Sequence, residues 1–146
     1  SYTFDVKKRQ SHNSQYVDLG LPSGTLWKKE NEGGNSAYYT YDEAVSKFGN
    51  KLPTTMHFTE LIDKCKWTWT GSGYKIIGPN GNFIYLPAAG SRLATGEVLS
   101  VGISGGYWSS TLRDSNHPQK LYFYSGANIF TMDGSYGNSV RLVWNL

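Results

Sequence analysis

The spacing of apolar residues changes period several times along the chain. In "YVDLGLPSGTLW", residues 16–27, apolar positions alternate around Pro22-Ser23-Gly24, which predicts two short strands about a turn. At "YTYDEAVSKFG" the spacing becomes helical, with Tyr41, Ala44, Val45 and Phe48 on one face. Thr40 is placed to cap that helix, Glu43 stands three positions later as in a capping box, and Gly49 is a suitable stop. Pro53 cannot lie inside a helix, so residues 52–54 read as an extended entry to a second one, capped by Thr54 or Thr55. Phe58, Leu61, Ile62 and Cys65 form its apolar face, and it should end near Lys66. Alternation resumes at Trp67 and Trp69.

The second half reads as short strands. "YKIIGPNGNFIYLPAAG" sets Gly78-Pro79-Asn80-Gly81-Asn82 between two apolar runs, a strong hairpin signal. A glycine-punctuated stretch follows, with one short strand about residues 98–101. Further strands are expected at 106–110, 121–124, 128–132 and 139–143. Two helices followed by mainly antiparallel strands make this an α+β chain. One segment stands apart: residues 112–120 are small, charged and polar, without period, between strongly patterned flanks. They are either a solvated turn or a surface whose sequence is free to vary.

At 146 residues the chain suits a single domain, 1–146, with residues 1–15 open as an N-terminal extension. Charged residues are 17% of it and the net charge of +3 is spread out. The dense basic stretch at residues 7–10 therefore reads as a solvated strand edge, and no nucleic-acid partner is expected. No apolar run approaches the ~20 residues that span a bilayer, so membrane insertion is not expected, and any export signal or anchor should lie outside this sequence. Eleven Tyr, six Phe and five Trp suit either a β-rich core or a wet binding face.

Candidate chemistry is sparse. Cys65 is the lone cysteine, which rules out an intramolecular disulfide and a Cys-based zinc site. His12, His57 and His117 are dispersed and fit no metal-ligand spacing. Ser109-Ser110 lack a GxSxG frame, and "GSG" and "GPNG" miss the phosphate-loop spacings. Asp42-Glu43 belong to a helix start, where negative charge is expected. Asp114 and Asp133 could donate oxygen to calcium, yet neither sits in a repeated acidic pattern. No metal and no cofactor are expected.

"YVDLGLPSGTLW", "KLPT", "KCKWTWTGSGYKIIGPNGNFIYLPAAG", "YWSST" and "GNSVRLV" are similar, in that order, to a domain family abundant in gut Bacteroidetes and their phages. That family is a branch of the C-type-lectin fold related to formylglycine-generating-enzyme domains, and the resemblance covers residues 16–143. It implies a C-type-lectin-like fold, two helices packed on small twisted antiparallel sheets, with Trp108 and the "SVRLV" strand in the core. Formylglycine-generating activity is not implied, because it needs active-site cysteines that are missing here. Calcium-mediated sugar binding is not implied either, since the EPN or QPD loop and the WND strand are absent.

The same fold is the usual scaffold of variable proteins of diversity-generating retroelements. Their adenine-directed changes at Asn codons yield no Lys, Glu, Gln, Met or Trp. Within residues 112–138 the exceptions to the permitted set are Gln119, Lys120 and Met132. Trp108, Leu121, Phe123, Val140 and Leu142 would form a frame by alternation, leaving the rest to display. The candidate ligand-binding residues within 107–143 are Tyr107, Arg113, Asp114, Ser115, Asn116, His117, Gln119, Tyr122, Tyr124, Asn128, Phe130, Asp133, Ser135, Tyr136 and Asn138. Tyr with Ser and Asn is the composition of antibody binding loops.

The resulting expectation is a binding module, not an enzyme, with a diversified C-terminal surface. It would act outside the cell, on a bacterial surface or a phage virion, and recognise a protein or glycan on a cell surface. A non-variable adhesin or carbohydrate-binding domain of a gut bacterial surface protein is the alternative, and a degenerate formylglycine-enzyme relative the third. The oligomeric state is left open.

Overall fold

Local signals place both helices. A computed structural model describes residues 15–115 and 117–145. Helix α1 (Tyr41–Phe48) opens on a reciprocal capping box, Thr40 and Glu43 each accepting the other's backbone N–H. It closes at Gly49, whose φ of 53° favours glycine. Helix α2 (Thr55–Lys64) uses Thr54 as its cap, with His57 in the position that Glu43 holds in α1. Thr54 N donates to His57 Nδ1 at 2.9 Å, so His57 is a capping residue. Helix α2 ends at Lys64, two residues before the expected stop, and Cys65 is already extended.

The strands are β1 (Tyr16–Asp18), β2 (Leu26–Lys28), β3 (Lys66–Trp69), β4 (Gly73–Ile77), β5 (Phe83–Pro87), β6 (Ser91–Arg92), β7 (Val98–Leu99), β8 (Gly105–Leu112), β9 (Pro118–Phe123), β10 (Ala127–Thr131) and β11 (Val143–Trp144). They form antiparallel sheets in the orders β1-β2-β11, β10-β9-β8, β3-β4-β5 and β6-β7. The described chain is α+β. Among the described residues no helix is long and apolar enough to cross a membrane.

The β10-β9-β8 sheet separates two hydrophobic clusters. Tyr107, Leu121 and Ile129 stand in one row across it, and Gly105, Phe123 and Ala127 in the next. This face meets the larger cluster, built from Trp27, Phe58, Leu61, Ile76, Leu86 and their neighbours. Period two sends Trp108, Lys120 and Phe130 to the opposite face, with Gly106, Tyr122 and Asn128 beside them. There Trp108 joins Ala44, Leu52, Val140 and Leu142 under α1. The five frame residues Trp108, Leu121, Phe123, Val140 and Leu142 are all buried.

Two expectations need correction. Val45 is exposed, because α1 turns Tyr41, Ala44 and Phe48 inward and leaves Val45 at the margin of that face. Residues 139–143 do not form one strand. The segment divides its backbone bonds among separate partners: Asn138 with Tyr39, Ser139 with Gly106 and Trp108, Val140 O with Glu32 N, and Leu142 O with Lys28 N. Only Val143–Trp144 is a strand, against β2.

Candidate ligand-binding surface

The open segment of the sequence is the end of a hairpin. Strands β8 and β9 pair from Gly105↔Phe123 to Leu112↔Pro118, with a register shift between Trp108 and Leu112. Within that bulge the bonds go elsewhere: Ser110 N donates to Pro53 O at 2.7 Å, and the Thr111 hydroxyl Oγ1 accepts from Thr55 N at 3.1 Å. The bulge thus fastens the hairpin to the entry of α2, and Tyr41 Oη adds a bond to Ser110 O at 2.9 Å.

Beyond it the tip closes on itself. Arg113 N donates to His117 O at 2.8 Å, and His117 N to Asp114 O at 3.2 Å. The Asp114 carboxylate lies 3.7 Å from Arg113 Nε and bonds His117 Nδ1. Arg113, Asp114, Ser115 and His117 are exposed, so the tip is ordered by its own contacts and gives nothing to the core. Asn116 lies outside the described residues.

A second loop faces the tip. Asp133 Oδ1 accepts from Ser135 N at 2.9 Å and Ser135 Oγ at 2.8 Å, and these bonds hold the Asp133 carboxyl below its ordinary pKa. Gly134 O receives Tyr41 N at 3.0 Å. A Cβ on Gly134 would stand 3.2 Å from Tyr41 Cβ and 3.4 Å from Pro118 Cγ, so glycine allows the loop to lie close. The loop, the hairpin tip (Leu112, Ser115, Pro118) and the first turn of α1 enclose a groove of about 530 Å³. It is an open concavity of mixed polar and apolar lining, wide enough for a side chain or a sugar ring.

The sheet beside the groove carries an aromatic patch. Tyr122 and Phe130 meet edge to face at 5.5 Å. Phe130 is 47% exposed and Tyr124 62%, with Asn128 exposed between strand and solvent. Ser135 is exposed and Tyr136 half-buried, its N–H bonded to Asp133 O at 3.3 Å. Gln119 is half-buried and pairs with Thr131, on the sheet face opposite Tyr122.

Two candidate residues leave the surface altogether. Tyr107 is fully buried, in the row that faces the larger cluster, and cannot face a ligand. Its Oη donates to Pro87 O at 2.8 Å and accepts from Asn31 Nδ2 at 3.1 Å; burial raises its pKa. Asn31 Oδ1 in turn accepts from Arg141 Nε at 3.0 Å and Nη2 at 2.7 Å, while the guanidinium also reaches Lys28 O and Tyr85 O. Burial of Arg141 lowers its pKa, and four hydrogen bonds compensate the desolvation. Asn138 is the second correction. It is buried beneath Lys120, bonded through its backbone to Tyr39.

Lys120 was not foreseen as an interior residue. The residue is 4% exposed, its Nζ lies 3.3 Å from Asn138 Oδ1 and 4.9 Å from the Tyr122 ring centroid, and burial pushes its pKa down to about 8. Burial likewise pushes the Cys65 thiol up to about 11, so it is protonated at neutral pH. Among the described residues no group of three or more His, Cys, Asp or Glu side chains is placed to hold a metal. No family model, no curated protein and no solved structure matches the chain.

Proposed function

We propose that this chain is a ligand-binding module of C-type-lectin-like fold whose hairpin tip, 133–135 loop and Tyr122–Phe130 patch form a display surface for a protein or glycan on a cell surface. One observation carries the reading: Arg113, Ser115, Asp133 and Ser135 at and beside the rim of the groove are exposed, while Trp108, Leu121, Phe123, Val140 and Leu142 complete the interior without them. A recognition surface that can change needs this separation. Changes at Arg113 or Ser115 touch no core contact.

Diversification by a retroelement is the favoured origin of the surface. Of the three residues in 112–138 that such a system does not generate, Lys120 is buried and Met132 packs on the Trp108 cluster, so both belong to the frame. Gln119 is half-buried on the far face. With that origin goes action outside the cell, on a bacterial surface or virion.

Aromatic and Arg side chains carry most binding energy at interfaces, which singles out Arg113 and Tyr124. The test is a ligand found by glycan array or surface pull-down, followed by alanine substitutions. Arg113→Ala and Tyr124→Ala should weaken it while His57→Ala and Arg92→Ala leave it unchanged. The opposite pattern refutes the display surface. Adjacent to the gene, a reverse transcriptase and a near-copy of the 3′ coding segment differing mainly at adenines would identify the diversified form.

A further inference from the structure

A second cavity lies at the other end of α1. The first turn of α1 borders the display groove, while the 3-10 turn Gly49–Lys51 that follows the helix borders a pocket of about 310 Å³. Eight residues of helix, about 12 Å, run between the two. The pocket is lined by Tyr16, Asn50, Lys51, Val143, Trp144 and Asn145.

The β1-β2-β11 sheet supplies its aromatic wall. Period two sends Val17, Trp27 and Val143 to the larger cluster and leaves Tyr16 and Trp144 on the opposite face. There the two rings meet edge to face at 5.5 Å, and Trp144 remains 38% exposed.

The residue after Trp144 contributes an amide whose orientation is fixed from outside the pocket. Thr54 N donates to His57 Nδ1, so the imidazole carries its proton on Nε2. His57 Nε2 therefore donates to Asn145 Oδ1 at 2.9 Å, and Thr25 Oγ1 donates to the same oxygen at 3.1 Å. With Oδ1 turned to these donors, Asn145 Nδ2 is left to the pocket, and among the described residues it has no acceptor. The side chains of Asn50 and Lys51 are exposed and likewise make no hydrogen bond or ion pair among the described residues. Lys51 is the charged member of the lining.

An apolar ligand would cover the rings but leave these amides unpaired. A pyranose matches both halves of the lining. Its C–H face is apolar and packs on an aromatic ring, its rim of oxygens accepts from amides, and a carboxylate on the ring adds a charge for the ammonium. We infer that this pocket binds one pyranose residue, and that Lys51 favours a uronic acid over a neutral sugar. The site is separate from the display surface and does not depend on it.

The test is an NMR titration of the whole isotope-labelled chain, read at the Trp144 indole N–H and the Asn145 side-chain amide, each assigned by its loss in Trp144→Phe or Asn145→Asp. The probes are methyl glucuronide, methyl glucoside and sodium acetate. The glucuronide should move both signals and saturate in the millimolar range, as suits so small a ligand. The glucoside should move them with weaker affinity, and acetate should leave them in place. Lys51→Met should weaken the glucuronide about two- to fivefold and leave the glucoside unchanged. Asn145→Asp keeps an acceptor for His57 and Thr25 but removes the donor, so both sugars should bind about threefold or more weakly when read at Trp144. Signals unmoved by either sugar would overturn the inference, as would acetate matching the glucuronide or equal affinities for the two sugars. Sugar-induced shifts centred on Arg113 and Tyr124 instead would refute this pocket while supporting the display surface, so the two readings fail separately.

Discussion

At the residue scale a strand and the hairpin tip beyond it have opposite duties. Trp108 donates its indole N–H to Tyr39 O at 2.6 Å and packs edge to face on Tyr41, within a closed apolar cluster. Trp108→Ala should therefore cost about 3–5 kcal/mol in chemical denaturation. Arg113→Ala and Ser115→Ala should stay within about 0.5 kcal/mol of wild type, because both side chains are exposed at the tip. Similar losses at both sets would remove the division between frame and display. Alternation marks the frame residues in sequence, since each is apolar and, Val143 beside Leu142 apart, each neighbour is polar or aromatic. Arg141, Lys120 and Tyr107 were illegible for the converse reason. Their polar ends normally mark a surface, and only the three-dimensional partners Asn31, Pro87 and Asn138 explain their burial.

At the scale of elements, local chemistry decided what could be read. Both helices announce themselves through a cap and a three–four spacing, and the β4–β5 hairpin through its Pro-Asn-Gly turn. The 137–142 segment does not, because its bonds run to Arg92, Tyr39, Gly106, Glu32 and Lys28, which no local pattern encodes. The pattern marks strand β9 only from Leu121 on, since a buried lysine breaks the hydropathy alternation at its start. That lysine gives β9 a pH signature. Its folded pKa of about 8 lies below the ordinary lysine value, so between the two the unfolded chain holds a proton that the folded chain has released. Wild-type stability relative to Lys120→Met should thus rise as pH increases from about 8 to about 10 and be flat below that range. Melting temperatures of the pair across this window check it; a constant difference would mean that the ammonium is solvated.

At the scale of the molecule, two clusters on either side of one sheet hold the fold, and no disulfide is involved, since Cys65 is the lone cysteine. The described carboxylates of the display region serve local turns: Asp114 faces Arg113 and His117, and Asp133 caps its own loop. Addition of EDTA should accordingly leave the melting temperature unchanged; a fall of more than about 4 °C, on the order of 1 kcal/mol, would reveal an ion that the loops need. The groove was only partly legible. Ser115, Asp133 and Ser135 are candidates on the resemblance and their composition, whereas the first turn of α1 as the opposite wall has no local signal, because Tyr41 lies more than 70 residues from Ser115 and more than 90 from Gly134, to whose O its N–H is bonded.

The separation of frame from display is tested most directly by two libraries of the whole chain on a display host, scored by resistance to protease. One randomises Arg113, Ser115, His117, Tyr124, Asn128, Phe130 and Ser135; the other randomises Trp108, Leu121, Phe123, Val140 and Leu142. Most members of the first should remain folded and few of the second. Equal folded fractions in the two libraries would contradict the claim that this surface is free to vary over a fixed interior.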